Sequence, residues 1–366
     1  MYRSDVIRIS TGGPGDVSGL TALLDDGSLD PAHIIAILGK TEGNGGVNDF
    51  TREFAHHMVR ELLAARLSLT AAEIDARIAI VMSGGTEGVL SPHLTVFAKV
   101  PDAGAAASGK RLAIGVAHTR TFATEELGRG AQIEATARAV RVAMDDAGIA
   151  DPADVHFVQI KCPLLTAARV AEARGRGCEP VTDDAYASMG YSRGASALGI
   201  ALGLGEIAGP LAEDVVLNDF SLASAVASTS AGIELFRNVV IVMGNAEGLA
   251  GDLQIGHAVM RDAIDLAGAL RAFSAVGLGA SLAHSGEDAE RIVNVFAKAE
   301  SSPDGAIRGR RHTMLDDTDI SATRHARAAV GGLLAGLAGT SAIYVSGGAE
   351  HQGPPGGGPV AVIAKV

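Results

Sequence analysis

The sequence predicts an α/β protein built from three homologous units related by pseudo-threefold symmetry. Three observations predict it. A Ser-[Gly/Ala]-Gly-x-Glu motif occurs as Ser83-Gly84-Gly85-Thr86-Glu87, Ser230-Ala231-Gly232-Ile233-Glu234 and Ser346-Gly347-Gly348-Ala349-Glu350. Lys40, Lys161 and Lys298 each end an apolar run. Each has an Asp ten residues upstream (Asp30, Asp151, Asp288) and an Ile or Val six and three residues upstream. Between each Lys and its Ser motif, a Thr or Ser precedes an Arg at a helix start: Thr51-Arg52, Ser192-Arg193, Thr323-Arg324. A period above about 100 residues is too long for a solenoid and suits a domain-sized unit. The units are 1–103, 110–250 and 252–366.

In the first unit, Asp5 to Ile9 alternates like a strand, and Thr11 to Gly15 is a turn. Leu20 to Leu24 suggests a short helix. Ile34 to Leu38 is a buried-strand run that ends at Gly39-Lys40, and a glycine-rich loop, Thr41 to Asn48, follows. The next helix carries Arg52 near its start, with Phe54, Met58, Leu62 and Leu63 at helical spacing. Ile78 to Met82 is a strand that delivers Ser83, and Leu94 to Ala98 is another. Pro101 to Lys110, rich in Ala and Gly, is a linker.

The pattern restarts at Arg111 to Val116, a strand. Glu134 to Ala147 is a helix with Gly148 as its C-cap. Val155 to Ile160 leads to Lys161, and a long loop runs through Cys178 and Tyr186. Ser192-Arg193 opens an apolar helix, Ala195 to Leu204, and Val239 to Met243 is the strand after Ser230. The third unit begins near Asp252. It has a helix from about Met260 to Phe273, a strand Ile292 to Phe296 reaching Lys298, and a helix opened by Thr323-Arg324. Ala342 to Val345 delivers Ser346, and Pro359 to Ile363 is the last strand.

Composition narrows the function. With 366 residues, nearly half of them apolar, the chain can bury a large core. Its 47 glycines have no G-X-Y period, which points to many tight turns. A net charge of -12 argues against a phosphate-backbone partner, and the absence of Trp argues against stacking of single-stranded nucleic acid. Cys162 and Cys178 match no zinc or redox spacing, and so few cysteines suit a reducing compartment. The N-terminus lacks a signal-peptide apolar run. The longest uncharged run, Ala328 to Ala349, carries six glycines and reads as a buried helix and strand rather than a membrane span. The expectation is a soluble, cytoplasmic protein with no membrane or nucleic-acid partner.

A Lys that ends a buried strand needs a partner or a task. Three related units place equivalent residues either far apart on the outside or together on the axis. Convergence would set three ammonium groups close together, and repulsion and desolvation would favour the neutral amine. A neutral Lys can act as general base toward a Ser hydroxyl, and N–H groups of the small-residue turn can form an oxyanion hole. Arg52, Arg193 and Arg324 would make the pocket positive. The natural ligand is small, flat, polar and nearly threefold, as a cyclic imide is. The residues alone do not choose among the three Ser-Lys pairs, although the second copy departs from the others by Ala231 and a longer Lys-to-Ser interval.

Four segments carry a family resemblance: Gly39-Lys40-Thr41-Glu42-Gly43-Asn44-Gly45, Val81 to His93, Val158-Gln159-Ile160-Lys161-Cys162-Pro163-Leu164-Leu165 and Ser346 to Pro354. They closely resemble the cyanuric acid hydrolase and barbiturase family, over essentially the whole chain. The resemblance implies a β-barrel-like core with the active site on the pseudo-threefold axis. It implies hydrolysis of a cyclic amide without a catalytic metal, with Ser230 as nucleophile and Lys161 as base. Ser83, Gly84, Ala231, Ser346, Gly347, Lys40, Lys298 and the three arginines would bind and polarise the substrate. It also implies a structural Mg²⁺ or Ca²⁺ held by Glu300, Ala349, Gln352, Gly353, Pro354 and Gly357, a donor set that suits a hard cation. The chain is expected to form a homo-oligomer, a tetramer, with apolar helices such as that after Arg193 packing between subunits. His93, His312 and His351 show no metal spacing and read as core or surface histidines.

Cyanuric acid is the expected substrate, opened to 1-carboxybiuret and then biuret and CO₂. Barbiturate, the pyrimidine counterpart, is the alternative. A non-catalytic binder of a threefold small anion would use the same cage without a depressed-pKa Lys. Nucleotide binding is disfavoured, because no G-x-x-x-x-G-K-[ST] occurs.

Overall fold

Each lysine-bearing run is a strand, and each lies in its own four-stranded sheet. The computed structural model describes residues 1–279 and 287–366. The first sheet uses β1 (Tyr2–Ser10), β2 (Ile34–Thr41), β3 (Ala79–Gly84) and β4 (His93–Pro101), with α1 (Ser18–Asp25), α2 (Phe50–Leu67) and α3 (Ala71–Arg77) between them. The second uses β5 (Arg111–His118), β6 (Val155–Pro163), β7 (Ala227–Gly232) and β8 (Val239–Ala246), with α4 (Gly130–Ala147), α5 (Ala167–Gly175) and α6 (Ala185–Leu204). The third uses β9 (Leu253–Met260), β10 (Ile292–Ala299), β13 (Tyr344–Gly347) and β14 (Gly358–Lys365). With it go α7 (Leu266–Ser274), α8 (Glu287–Arg291), α9 (Ala322–Ala338) and a small hairpin, β11 (Ala306–Ile307) and β12 (Arg310–Arg311).

The strand orders are β1-β4-β2-β3, β5-β8-β6-β7 and β9-β14-β10-β13. In each, the lysine strand runs parallel to the serine strand and antiparallel to the last strand. A parallel neighbour requires a crossover, and α2 with α3, α5 with α6, and α9 supply it. The register repeats: Lys40 stands opposite Ser83, Lys161 opposite Ser230 and Lys298 opposite Ser346. A bulge recurs as well, between Ile34 and Ala36, Val155 and Phe157, and Ile292 and Asn294. Asp30 and Asp151 have a local duty. Each caps a 3₁₀ turn by accepting from the N–H two residues on, which starts the lysine strand at a fixed point.

Each sheet packs its helices over one face, giving three separate apolar clusters. The opposite faces meet in a shared core of Leu38, Val81, Phe97, Ile114, Phe157, Met243, Ile255, Phe296 and Tyr344, among others. Phe296 joins the three sheets there, with ring centroids 6.3 Å from Phe97, 5.1 Å from Phe157 and 6.0 Å from Tyr344. The expected β-barrel-like core is therefore not a closed barrel among the described residues. The sheets stay distinct and meet through side chains. Ser4 Oγ donates to the Leu112 carbonyl at 2.8 Å, Asn245 Nδ2 to the Ile255 carbonyl at 2.7 Å, and Asn294 Nδ2 to Thr95 Oγ1 at 2.7 Å.

Other expectations need correction. The helix expected from Met260 starts at Leu266, because Met260 ends a strand and Asp265 caps the helix through Gly268 N–H. The long loop through Cys178 contains α5, capped by Thr166. Arg193 lies inside α6, which starts at Ala185 under an Asp184 cap, so it does not open the helix. Nor is α6 free for a subunit contact, since most of it is buried, with α4 as a principal neighbour. The run from Ala328 is the end of α9 followed by β13, and no helix among the described residues is long and apolar enough to cross a membrane. Residues 102–110 connect the first two sheets without regular structure.

Truncating Phe296 opens the junction of all three sheets. Phe296→Ala is expected to lower unfolding free energy in urea by about 3–5 kcal/mol. A loss comparable to an exposed Phe50→Ala change would contradict the central packing.

Candidate active site

The ends of the three serine strands face one another around a small cavity. Its walls include Ser83, Gly84, Ser230, Ala231, Ser346, Gly347, Lys161, Arg52, Arg193 and Arg327. Lys40 and Lys298 stand behind Ser83 and Ser346, almost fully buried. Strand register accounts for the gathering, because each Lys reaches its Ser strand at the same pleat position.

The three pairs are not alike. Lys40 Nζ donates to Ser83 Oγ at 3.2 Å and to the Gly84 carbonyl at 3.3 Å. Lys298 Nζ donates to Ser346 Oγ at 3.2 Å and to the carbonyls of Gly347 and Thr229 at 2.9 Å. Lys161 instead donates to the Met82 carbonyl at 2.8 Å and lies 3.8 Å from the Glu234 carboxylate. Ser230 Oγ is buried and has no protein hydrogen-bond partner. The contact expected between Lys161 and Ser230 is thus made by the other two pairs and not by this one.

Burial depresses the pKa of all three lysines, and each has a guanidinium as the next cause. Lys161 falls to about 8 by burial and Arg52. Lys298 falls to about 7 by burial and Arg193, and Lys40 falls well below the usual value by burial and Arg327. The three motif glutamates balance these charges. Burial works against the Glu87 carboxylate, but Arg327 grips it through two hydrogen bonds and lowers its pKa. Glu350 is held the same way by Arg193, whose Nε donates at 2.8 Å. Glu234 is also desolvated, and its pKa is lowered chiefly by Lys161.

The second glycine of each motif explains the difference. A Cβ on Gly85, which sits at φ 108°, would lie 2.5 Å from Arg327 Nε. One on Gly348, at φ 75°, would lie 2.6 Å from Arg193 Nε. These glycines give a guanidinium a seat against the backbone. At Gly232 the seat is taken by the Glu234 carboxylate, whose oxygens would lie 2.4 Å from such a Cβ. Arg52 instead donates to the carbonyls of Gly45, at 3.4 Å, and Gly46, at 2.7 Å, and so pins the glycine-rich loop.

Arg324 is less central than expected. Its side chain is 39 % exposed and donates to Glu87 at 3.1 Å, in an outer cavity that Arg327 also lines. Repeat alignment missed Arg327, one helical turn on and on the same side of α9. It also missed Tyr344, whose ring centroid lies 5.5 Å from Lys40 Nζ. His93 is core, with burial lowering its pKa to about 4. His351 is buried and fixes a loop through Leu217 N–H and the Leu222 carbonyl. His312 accepts from Met314 N–H. Cys162 and Cys178 are free.

The proposed cation residues come together after β10 and in the loop before β14. Ala349 N–H donates to Glu300 Oε2 at 3.2 Å, Gln352 N–H to the Ala349 carbonyl at 3.0 Å, and Gly357 N–H to the Pro354 carbonyl at 2.9 Å. Burial and the neighbouring Glu350 raise the Glu300 pKa, so a cation there would relieve a desolvated carboxylate. One carboxylate with backbone oxygens fits a hard cation. The Gln352 side-chain oxygen accepts from Thr229 N–H at 2.7 Å. Among the described residues, no group of three or more His, Cys, Asp or Glu side chains forms a metal cluster.

A methyl group at Gly348 would displace the Arg193 guanidinium and strain a left-handed backbone. Gly348→Ala is expected to cost about 1–3 kcal/mol of stability in urea unfolding. A neutral result would show that the glycine seat does not constrain the arginine.

The family described as amidohydrolase ring-opening protein matches residues 5–365. The cyanuric acid amidohydrolase of Bradyrhizobium diazoefficiens is 64 % identical over 363 residues, covering 99 % of this chain and 98 % of that protein. That of Pseudomonas sp. (strain ADP) is 58 % identical over 367 residues, covering 100 % of each. A solved cyanuric acid hydrolase structure superposes with TM-score 0.96 at 57 % identity, covering 100 % of both chains. Matched from end to end in sequence and in fold, the chain belongs to the ring-opening amidohydrolase family.

Proposed function

We propose that this chain hydrolyses cyanuric acid, with Ser230 as nucleophile and Lys161 as base. The observation that carries the reading is the in-register set of three Lys–Ser pairs around one cavity, in which only the Ser230 hydroxyl lacks a protein partner. The ring lies flat, with its carbonyls directed at the three serine turns. Ser83 and Ser346, each held by a lysine, donate to two carbonyls and polarise them. Ser230 Oγ is free to attack the third.

Lys161 is buried, and its pKa of about 8 leaves a usable fraction of neutral amine near pH 7. Rotation of its side chain from the Met82 carbonyl toward Ser230 brings the amine to the hydroxyl. The amine accepts the Ser230 proton as Oγ bonds to the ring carbon. It returns that proton to the ring nitrogen as the C–N bond breaks. Water then attacks the acyl-enzyme, its proton passes through Lys161 to Ser230 Oγ, and 1-carboxybiuret leaves and loses CO₂ to give biuret. Arg52, Arg193 and Arg327, which line the cavity, stabilise the oxyanion and the substrate's negative edge, and Arg324 bears on the substrate from the adjoining outer cavity. Lys40 and Lys298 keep their serines oriented.

The same reading includes three homologous units, 1–103, 110–250 and 252–366, with pseudo-threefold symmetry. Their support is the shared strand order, register and bulge. It also includes a structural Mg²⁺ or Ca²⁺ at Glu300, which would brace the loop bearing Glu350 and Arg193, a homotetramer and a cytoplasmic setting. The tetramer rests on the family resemblance, and the setting on the two free cysteines.

Ser230→Ala is expected to lose turnover by about 10³-fold or more. Ser83→Ala and Ser346→Ala should lose less and raise KM. Equal losses from all three would leave no distinguished nucleophile. Turnover of barbiturate in place of cyanuric acid, measured by product release, would redirect the substrate assignment. Removing the Arg52 charge should raise the Lys161 pKa. Activity needs the neutral amine, so it falls as pH drops through that pKa. In Arg52→Gln the acid limb of kcat/KM is therefore expected to move to higher pH by about one unit. An unmoved limb would separate Lys161 from the base role.

A further inference from the structure

The central cavity does not account for Glu234. Its counterparts Glu87 and Glu350 are each clamped by an arginine through two hydrogen bonds. Among the described residues, no arginine donates a hydrogen bond to the Glu234 carboxylate. It lies 3.8 Å from Lys161 Nζ, with 15 % of its side chain exposed against 2 % for the lysine. Glu234 is not among the residues that line the central cavity. Glu234 lines a separate outer cleft of about 870 Å³ between α2 and the 233–239 loop, together with His56, His118 and Asp75.

We propose that Glu234 is a proton relay, linking the buried Lys161 amine to water in the outer cleft between the first and second sheets. The proposal rests on the Lys161 base reading and adds to it a route for the proton. Neither enclosed neighbour, Ser230 or the Met82 carbonyl, can accept a proton for release to bulk water. The carboxyl group that hydrolysis creates on the product ionises in the cavity, and its proton is taken by the neutral Lys161 amine as the product leaves as carboxylate. Between turnovers Lys161 gives that proton to the Glu234 carboxylate, and the carboxylic acid passes it to water in the cleft. The lysine returns as neutral amine and the glutamate as carboxylate, so nothing is consumed. A modest rotation of either side chain closes the 3.8 Å gap to hydrogen-bonding distance.

The surroundings suit that task. Gly232 leaves space for the carboxylate beside the strand end. The charged and titratable groups facing it are Lys161 on β6, Arg52 and His56 on α2, and Arg169 on α5. Arg169 donates to the carbonyls of Leu235, at 2.8 Å, and Ile233, at 3.5 Å, and so fixes the backbone around Glu234 without clamping its carboxylate. His56 is held by Asp75 at 3.0 Å, and the buried His118 Nε2 has no protein partner on the cleft wall. The clamped glutamates belong to pairs that hold carbonyls. The unclamped one belongs to the pair assigned to proton transfer.

The test uses the full chain, with kcat and KM for cyanuric acid measured against pH. Glu234→Gln keeps the shape and removes the ionisable group, and Glu234→Ala opens a space that formate can enter from the cleft. Both are expected to lose kcat on the order of 10²-fold with KM little changed and the pH profile altered. Added formate should restore part of the Glu234→Ala rate in a concentration-dependent way. Wild-type kcat and pH profile in Glu234→Gln would overturn the relay. So would a loss in both variants with an unaltered profile and no formate rescue, which is the mark of a purely structural residue. Lys161→Ala is measured alongside. If it keeps turnover, the base reading fails and the relay with it. If it is inactive while Glu234→Gln is normal, the relay alone fails.

Discussion

Burying charge is the constraint that organises this molecule. Lys40, Lys161, Lys298, Arg52 and Arg327 are each nearly inaccessible, and Arg193 is not far behind. Unpaired cations in such a place would cost several kcal/mol apiece. The structure meets the cost in two ways. Three motif glutamates bring negative charge to the arginines and lysines, and burial shifts the lysines toward neutrality. The second response lets a buried lysine exist as a neutral amine. The same desolvation that would destabilise the fold is therefore what the proposed base chemistry draws on.

Geometry decides which of the three copies is available for that chemistry. Two serines are occupied by their lysines, and two glutamates by arginines seated on glycines of positive φ. In the second copy the carboxylate occupies the glycine seat, Arg52 turns to the loop carbonyls, and the serine is left free. The asymmetry is a matter of which group fills one small space beside the backbone.

Much of this was legible in the sequence. The spacing of Asp, Ile or Val, and Lys located three strands, and the structure pairs each lysine with its serine in one register. The uncharged run from Ala328 was readable as helix and strand because glycines interrupt it. Less visible was α5, which has only Val170 and Ala173 buried and so little apolar periodicity to display. Aligning Thr-Arg with helix starts failed at Arg193, which an earlier Asp184 cap places mid-helix. The same alignment drew attention to Arg324 and away from Arg327, whose importance depends on the Glu87 carboxylate of another sheet. Glu234 was visible as a motif member, but its freedom from an arginine is a tertiary fact.

The clamps also cross from sheet to sheet. Arg327, beside the third sheet, holds Glu87 of the first, and Arg193, beside the second, holds Glu350 of the third. Arg52, beside the first, bears on Lys161 of the second. That circuit has no beginning. The chain ends respect it too: the Tyr2 carbonyl accepts from Ala250 N–H, and Val366 N–H donates to the Asp252 carbonyl, so both termini lie beside one short connection. The order in which the three segments are translated is thus incidental to the assembled centre. A chain reopened at 102–110 and joined across its old ends would keep every cross-sheet clamp, so the cavity belongs to the ring of contacts rather than to the linear order of the gene.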